Sequence, residues 1–157
     1  MNNVKVDVYI EIEKNSNIKY EYDKKNKKLE IDRVLDKPFV YPYAYGFIPN
    51  TMADDKDELD ALIITDKDIK NDQYYEVYII GSLAMEDEKG MDEKILCVLE
   101  EDYENINDIS DLNKNIKDNI HYFFSNYKKK SIEKWSKVIG FINKELSIEL
   151  YKKCILQ

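Results

Sequence analysis

Hydrophobic and polar residues alternate along the first third of the chain. In residues 4–13 every second residue is Val or Ile, and the intervening positions are polar or aromatic. A period of two is typical of a strand with one buried face, so the pattern predicts a strand over residues 4–13. The same alternation predicts two more strands, over residues 18–23 and 29–34, each separated from the preceding strand by a polar turn.

One arginine interrupts the apolar face of the third predicted strand. Arg33 has the same parity as Leu29 and Ile31, which places its side chain on the face that the apolar residues occupy. An arginine directed inward at the end of a strand requires an anionic partner.

The middle of the chain has a different pattern. Residues 38–49, P-F-V-Y-P-Y-A-Y-G-F-I-P, are rich in tyrosine and broken by proline and glycine, which predicts an ordered irregular segment instead of a helix or a long central strand. Apolar strands are predicted over residues 60–65, 75–82 and 94–99. Two acidic segments lie among them, the acidic loop of residues 54–60 and a second loop at residues 86–93.

The period changes to three or four residues in the C-terminal part. Leu112, Ile116 and Ile120 begin an apolar stripe that predicts a helix over residues 111–129, with Asp108 or Ser110 as its cap. A short strand is predicted over residues 138–141, followed by a final helix that begins after Asn143. Five to seven short strands followed by helices indicate an α+β fold, a small, mostly antiparallel OB-like β-barrel with two main helices packed outside.

Composition narrows the possible classes of protein. The 157 residues are 43% hydrophobic, enough for one core, and predict a single domain over residues 1–157. The formal charge of −8 disfavours nucleic acid or an anionic membrane as the main partner. The chain has no apolar stretch of membrane-spanning length and its N-terminus lacks the pattern of a signal peptide, so a cytoplasmic location is expected. Two cysteines without metal-ligand spacing and a single histidine, His121, offer little material for a histidine-based site.

The acidic loop, D-D-K-D-E-L-D, admits two interpretations. Asp55, Asp57 and Asp60 form a D-x-D-x-x-D pattern whose oxygen ligands suit a hard cation such as Mg²⁺ or Mn²⁺. Taken alone, the pattern is more often a solvated surface turn. A calcium-binding EF-hand loop is excluded, because its glycine and final glutamate positions hold Asp60 and Asp66.

Phosphate binding would have to use side chains. The chain has four glycines and neither of the glycine-rich phosphate-binding motifs. Side chains that could bind phosphate are nonetheless present, although each alone is more often a surface or core residue: Lys19, Arg33, Lys94, Tyr127, Lys128, Tyr41 and Tyr45. Together with two acidic loops they predict a phosphoryl-transfer site.

Several motifs, in order and nearly in register, resemble those of the family I soluble inorganic pyrophosphatases. They are V-Y-I-E-I, I-K-Y-E-Y-D, L-E-I-D-R, Y-P-Y-A-Y-G-F-I-P-N-T, the D-x-D-x-x-D of the acidic loop, the second acidic loop, and F-F-S-N-Y-K. The resemblance covers residues 8–135. It implies Mg²⁺-dependent hydrolysis of inorganic pyrophosphate to two orthophosphates, with several cations per subunit and Mn²⁺ as a possible substitute.

The resemblance also implies roles for individual residues. Asp57 corresponds to the carboxylate that takes a proton from the attacking water. The metal ligands would be Asp55, Asp60, Asp87, Asp92 and, through water, Glu21. Lys19, Arg33, Tyr45, Tyr127 and Lys128 correspond to phosphate contacts, whereas Lys94, Tyr41 and Glu11 correspond to supporting positions.

The chain departs from the family pattern within the acidic loop. Lys56 and Glu58 stand where the family usually has Gly and Pro, and loss of the glycine is free of strain only if Lys56 has a negative φ. Bacterial relatives commonly form hexamers, so a homo-oligomer is expected. Two alternatives remain open: a non-catalytic barrel that binds a metal or an oligonucleotide, and a hydrolase of nucleoside triphosphates or polyphosphate.

Overall fold

The computed structural model describes residues 3–128 and 131–156, and within them the chain forms nine strands, three α-helices and one 3-10 helix. The strands are β1 (Lys5–Ile12), β2 (Ile18–Asp23), β3 (Lys28–Val34), β4 (Ala44–Ile48), β5 (Leu59–Ile63), β6 (Tyr74–Asp87), β7 (Gly90–Met91), β8 (Lys94–Val98) and β9 (Ser136–Ile142). The helices are α1 (Glu100–Tyr103), α2 (Lys114–Asn126) and α3 (Lys144–Cys154), and the 3-10 helix spans Ile109–Asp111.

Five strands form a ring-like sheet in the order β1-β4-β5-β8-β6, and pairing of β1 with β6 completes the ring. All of these pairs are antiparallel except β5–β8, which is parallel. β9 pairs with the long strand β6 outside this ring, and β2 and β3 form a separate two-stranded ribbon. The architecture confirms the predicted α+β, mostly antiparallel barrel.

Both faces of the ring are buried at β5 and β8. On β5, Leu62 belongs to one apolar cluster, and Ala61 and Ile63 belong to a second. Leu96 and Ile95 divide in the same way on β8. Burial on both faces explains why these strands are continuous apolar runs without alternation.

The two main helices pack on opposite clusters. Phe123 and Phe124 of α2 contribute to the cluster that contains Leu62, whereas Ile148 of α3 contributes to the other. α3 begins where Asn143 accepts a hydrogen bond from the Leu146 amide, which confirms the predicted cap. None of the described helices is long and apolar enough to cross a membrane.

The prediction that residues 38–49 are wholly irregular was wrong, because β4 lies within them. The prolines at positions 42 and 49 flank this strand without entering it, and β4 pairs with both β1 and β5. Gly46 permits the pairing: a Cβ at this position would lie 1.7 Å from the Tyr9 carbonyl oxygen. The glycine that argued against a strand is therefore what allows β1 to approach.

Other predicted boundaries also require correction. α2 begins after Asn113, which accepts a hydrogen bond from the Ile116 amide, whereas Asp108 caps the 3-10 helix instead. α2 ends at Asn126, and Lys129, the predicted last residue, lies outside the described residues. β6 extends to Asp87 and forms a hairpin with β7, so the second acidic loop is mostly a hairpin end.

Candidate active site

A cavity of about 1030 Å³ opens between the ribbon, the acidic loop, the β6–β7 hairpin and the end of α2. Its lining contains all but one of the predicted site residues: Glu11, Lys19, Glu21, Arg33, Tyr45, Asp55, Asp57, Asp60, Asp87, Asp92, Lys94, Tyr127 and Lys128. The exception is Tyr41, which is buried behind the lining with its ring centroid 5.3 Å from that of Tyr45. Residues from seven strands and three connecting segments are thus brought together.

Lys94 lies at the floor of the cavity. Its side chain is 2% exposed, and its Nζ donates to Tyr45 Oη at 2.7 Å, Asp60 Oδ2 at 3.0 Å and Asp92 Oδ2 at 3.1 Å. Asp60 and Lys94 are neighbours because the parallel pairing of β5 with β8 places them in register. Burial alone would lower the pKa of Lys94, but the Asp60 and Asp92 carboxylates raise it overall, so the ammonium stays charged.

The environment of Asp60 and Asp55, near Lys94, is unfavourable for negative charge, whereas at Asp92 the effect of burial is outweighed by the Lys94 ammonium, which lowers the pKa. Burial raises the pKa of Asp60 to about 6, and the nearby Asp92 carboxylate acts in the same direction. Burial likewise raises the pKa of Asp55, which also lines the cavity. One ammonium therefore balances several acids, and a further cation would stabilise their ionised forms.

Within residues 3–128 and 131–156, no three carboxylate, histidine or cysteine side chains are close enough to enclose a metal ion as they stand. The donor set nevertheless fits a hard divalent cation, since Asp55, Asp60, Asp87 and Asp92 offer only oxygen and face one cavity. The Lys94 ammonium occupies one oxygen of Asp60 and one of Asp92. Metal binding would require the acidic loop and the hairpin to adjust.

Basic side chains from other elements also line the cavity. Lys19 and Arg33 are paired across the ribbon, and Lys19 Nζ donates to Asp32 Oδ2 at 2.9 Å. Lys128 Nζ donates to the Glu88 carboxylate at 3.0 and 3.2 Å. Each of these ammonium groups is held by a carboxylate, so its position is defined before any anion arrives.

Arg33, predicted to point inward, lines the cavity. Its guanidinium carbon lies 5.6 Å from the centre of the Tyr127 ring. Its Nε is buried and, among the described residues, has no hydrogen-bond partner. A buried donor without a partner is costly, and an anion in the cavity is a suitable acceptor.

Two acidic residues that contact the predicted site lysines were not predicted from the sequence. Asp32 and Glu88 position Lys19 and Lys128, and Glu88 also accepts from the Trp135 amide at 2.9 Å. The Trp135 amide, followed by Lys128, lowers the pKa of Glu88 to about 2. Both acids are next to predicted site residues in the sequence, since Asp32 precedes Arg33 and Glu88 follows Asp87. Their charge alone, however, could not predict which lysine each of them would pair with.

The acidic loop is held at its base by Thr51. Its Oγ1 donates to the Ile48 carbonyl at 2.6 Å and accepts from the Leu59 amide at 2.9 Å. At the tip of the loop Lys56 has a positive φ of 74°. The lysine therefore strains the backbone at a position where the family usually has glycine. A side chain in the left-handed region costs about 1 kcal/mol relative to glycine.

Comparisons with known proteins identify the family of the chain. The family model for inorganic pyrophosphatase matches residues 8–157. An inorganic pyrophosphatase from Helicobacter pylori strain J99 is 44% identical, with 94% of this chain and 88% of that protein covered. One from Nanoarchaeum equitans is 42% identical, with 96% and 95% covered.

Solved structures give the same result at the level of the fold. The inorganic pyrophosphatase of Helicobacter pylori superposes with a TM-score of 0.91 at 42% identity, covering 96% of this chain and 91% of that one. The Thermus thermophilus enzyme gives 0.90 at 39% identity, covering 96% and 89%. By sequence and by structure, the chain belongs to the inorganic pyrophosphatase family.

Proposed function

We propose that the chain hydrolyses inorganic pyrophosphate to two orthophosphates in this cavity, with Mg²⁺ as the divalent cofactor. The observation that carries the proposal is that one cavity is lined both by carboxylates of the acidic loop and hairpin and by the ammonium and guanidinium groups of Lys19, Arg33 and Lys128. Pyrophosphate is a small polyanion, and it needs cations on all sides to become open to attack.

The proposed metal ligands are Asp55, Asp60, Asp87 and Asp92, with Glu21 acting through water. When bound, Mg²⁺ would neutralise phosphate charge and make bound water a better nucleophile. The raised pKa values of Asp55 and Asp60 support this assignment, because a cation would favour the ionised carboxylates there.

The basic side chains bind and orient the substrate. Arg33 offers its Nε, which has no partner in the part of the chain that the structure describes, and Lys19 and Lys128 can exchange their carboxylate partners for phosphate oxygens. Tyr127 and Tyr45 supply hydroxyl groups, and Lys94, Tyr41 and Glu11 keep the floor of the cavity in place. These cations also stabilise the charge on the departing phosphate.

Asp57 is the proposed general base. It lines the cavity and is exposed at the tip of the acidic loop, where its amide donates to Asp55 Oδ1 at 3.1 Å. As the water oxygen bonds to one phosphorus, a proton of the water passes to Asp57, and the bond between that same phosphorus and the bridging oxygen breaks, so the bridging oxygen leaves with the other phosphate. Two phosphates remain in the cavity.

Oligonucleotide binding is disfavoured by burial of the tyrosines that would have to stack. Tyr41 and Tyr45 are 1% and 8% exposed, so neither offers a free ring face to a base. Most side chains that line the cavity are charged, which leaves little apolar surface for the base of a nucleoside triphosphate.

A substrate panel tests the proposal. Phosphate release should be fastest from pyrophosphate and much slower from ATP or tripolyphosphate, and single-stranded DNA should not bind at moderate salt. Faster phosphate release from ATP than from pyrophosphate would indicate a nucleoside triphosphate hydrolase instead. Salt-sensitive DNA binding without any phosphate release would favour the non-catalytic barrel.

We also propose that the chain forms a homo-oligomer, with a hexamer as the expected form. Several large apolar side chains are exposed on the single chain, among them Ile139 of β9 and Leu146 of α3. Light scattering coupled to size-exclusion chromatography tests this. A mass of one chain at micromolar concentration would refute it.

A further inference from the structure

One ion pair joins the turn of the ribbon to the acidic loop across the mouth of the cavity. Lys24 Nζ lies 2.8 Å from Glu58 Oε2, and both residues line the cavity. The Glu58 side chain is only 20% exposed, whereas that of Lys24 is 70% exposed. Among the described residues, this is the only ion pair or hydrogen bond between residues 18–34 and residues 53–60.

The acidic loop has little else to fix its tip. Next to the Thr51 anchor, the Met52 amide donates to the Cys154 carbonyl at 2.8 Å. Between residues 53 and 58 the backbone bonds are local: the Ala53 amide donates to the Asp57 carbonyl at 2.8 Å, and the Lys56 amide donates to the Ala53 carbonyl at 3.0 Å. Lys56 has a strained, left-handed backbone. Glu58 occupies the position where the family pattern has proline, so the restriction that a proline ring places on the backbone is missing.

We propose that Lys24 and Glu58 are positioning residues, and that their ion pair holds the acidic loop so that Asp55 and Asp57 face the cavity. The inference rests on the proposed function in that the pair acts through the proposed metal ligand and general base. Glu58 is adjacent to Asp57, and Lys24 is on the turn of the ribbon that also carries Lys19 and Arg33. The pair therefore fixes the acidic side of the site relative to the basic side.

An electrostatic effect without positioning would have a different sign. Lys24 is a cation near carboxylates, so its removal should make the cavity more negative and tighten binding of a divalent cation. If the ion pair positions the loop, removal of Lys24 and removal of Glu58 should both weaken metal binding. Two single substitutions of opposite charge thus distinguish the two effects.

The experiment compares Lys24→Met, Glu58→Gln, the double variant and the charge exchange Lys24→Glu with Glu58→Lys, each as the full chain. Mg²⁺ affinity is measured by calorimetry without substrate, and hydrogen exchange is followed at the Ala53 and Lys56 amides. Both single variants should bind Mg²⁺ about two- to fivefold more weakly and exchange faster by a similar factor, as expected for loss of one partly exposed pair. The double variant should bind Mg²⁺ no more weakly than the weaker-binding single variant, and the charge exchange should recover most of the lost affinity.

Two lysines provide matched controls. Lys25 is in the same turn, and its ammonium makes no ion pair with the described residues. Lys114 pairs with Asp118 on α2, outside the cavity lining. Lys25 also lines the cavity, so Lys25→Met should leave loop exchange unchanged and should not weaken Mg²⁺ binding, as expected for loss of a cation without loss of positioning. Lys114→Met should leave both Mg²⁺ affinity and loop exchange unchanged.

The proposal is overturned if Lys24→Met tightens Mg²⁺ binding or leaves it unchanged, if loop exchange is unaffected, or if the two single effects add. These readouts do not depend on turnover. A folded wild-type protein that releases no phosphate from pyrophosphate would refute the proposed function, and the exchange measurement would still decide the role of the pair.

Discussion

At the scale of single residues, the site is built around the balance between one buried cation and the carboxylates that it contacts. Lys94 gives its three donors to Asp60, Asp92 and Tyr45, and water has almost no access to it. A buried charge is stable only while its partners are present. Lys94 is therefore needed most when no metal neutralises the acids.

Lys94→Met should lower the free energy of unfolding by about 3–5 kcal/mol in the presence of a chelator, because two buried carboxylates lose their cation. Added Mg²⁺ should recover more stability in this variant than in the wild type. Chemical denaturation with and without Mg²⁺ measures both effects. Lys89→Met, at an exposed position of the same cavity, is the control and should behave as wild type. Equal responses of the two variants would show that Lys94 does not balance these charges.

Asp57→Asn should retain the fold and most Mg²⁺ binding, since the side chain is exposed, but should lose about 10²- to 10⁴-fold in turnover because the amide cannot accept the proton. Steady-state phosphate release and Mg²⁺ calorimetry measure the two properties. Asp54→Asn, in the same loop but outside the cavity lining, should be nearly normal. Near-normal turnover of Asp57→Asn would mean that another group acts as the base.

At the scale of elements, the position of the ribbon depends on a buried glutamate. Glu11 of β1 accepts a hydrogen bond from the Tyr22 amide of β2 at 2.8 Å, which attaches the ribbon to the ring. Burial raises the pKa of Glu11 to about 8, although the Tyr22 amide opposes the shift. The folded protein therefore favours the protonated acid, whose carbonyl oxygen can still accept this bond.

The raised pKa predicts a pH dependence of stability. Because the folded value is about 8 and the usual value is 4.5, the contribution of Glu11 is fully present below pH 4.5 and is lost as the pH rises to 8. One pKa unit corresponds to about 1.4 kcal/mol, so the loss is about 3–5 kcal/mol. Glu11→Gln should gain this much over wild type between pH 5 and pH 8 in urea denaturation with chelator. Glu104→Gln, at an exposed site, should follow wild type, and parallel curves for wild type and Glu11→Gln would contradict the prediction.

The alternation of apolar and polar residues located β1, β2 and β3, although only the first half of β1 alternates between exposed and buried residues, and the residues of β2 and β3 are half-buried or exposed. The sequence failed where a close backbone contact decides the structure. β4 was missed because the requirement for Gly46 arises from β1, which is distant in the sequence. The cap of α2 was misplaced because Asp108, Ser110 and Asn113 are all good caps, and only the 3-10 helix separates them.

At the scale of the whole molecule, the chain carries a net charge of −8 and yet has a site suited to a polyanion. The motifs predicted a set of site residues, and the fold brings all of them except Tyr41 to the lining of one cavity. The pairs Lys19–Asp32, Lys128–Glu88 and Lys24–Glu58 could not be predicted, because each joins side chains whose separation depends on how ribbon, hairpin and loop pack. Local cations therefore overcome the overall charge.

The central claim is tested most directly by phosphate release from pyrophosphate during a Mg²⁺ titration of the wild-type chain. The account predicts two orthophosphates for each pyrophosphate consumed, no release in excess chelator, and a rate that rises with Mg²⁺ until the sites are filled. Release that is undiminished by chelator, or no release by a folded protein that binds Mg²⁺, would contradict it.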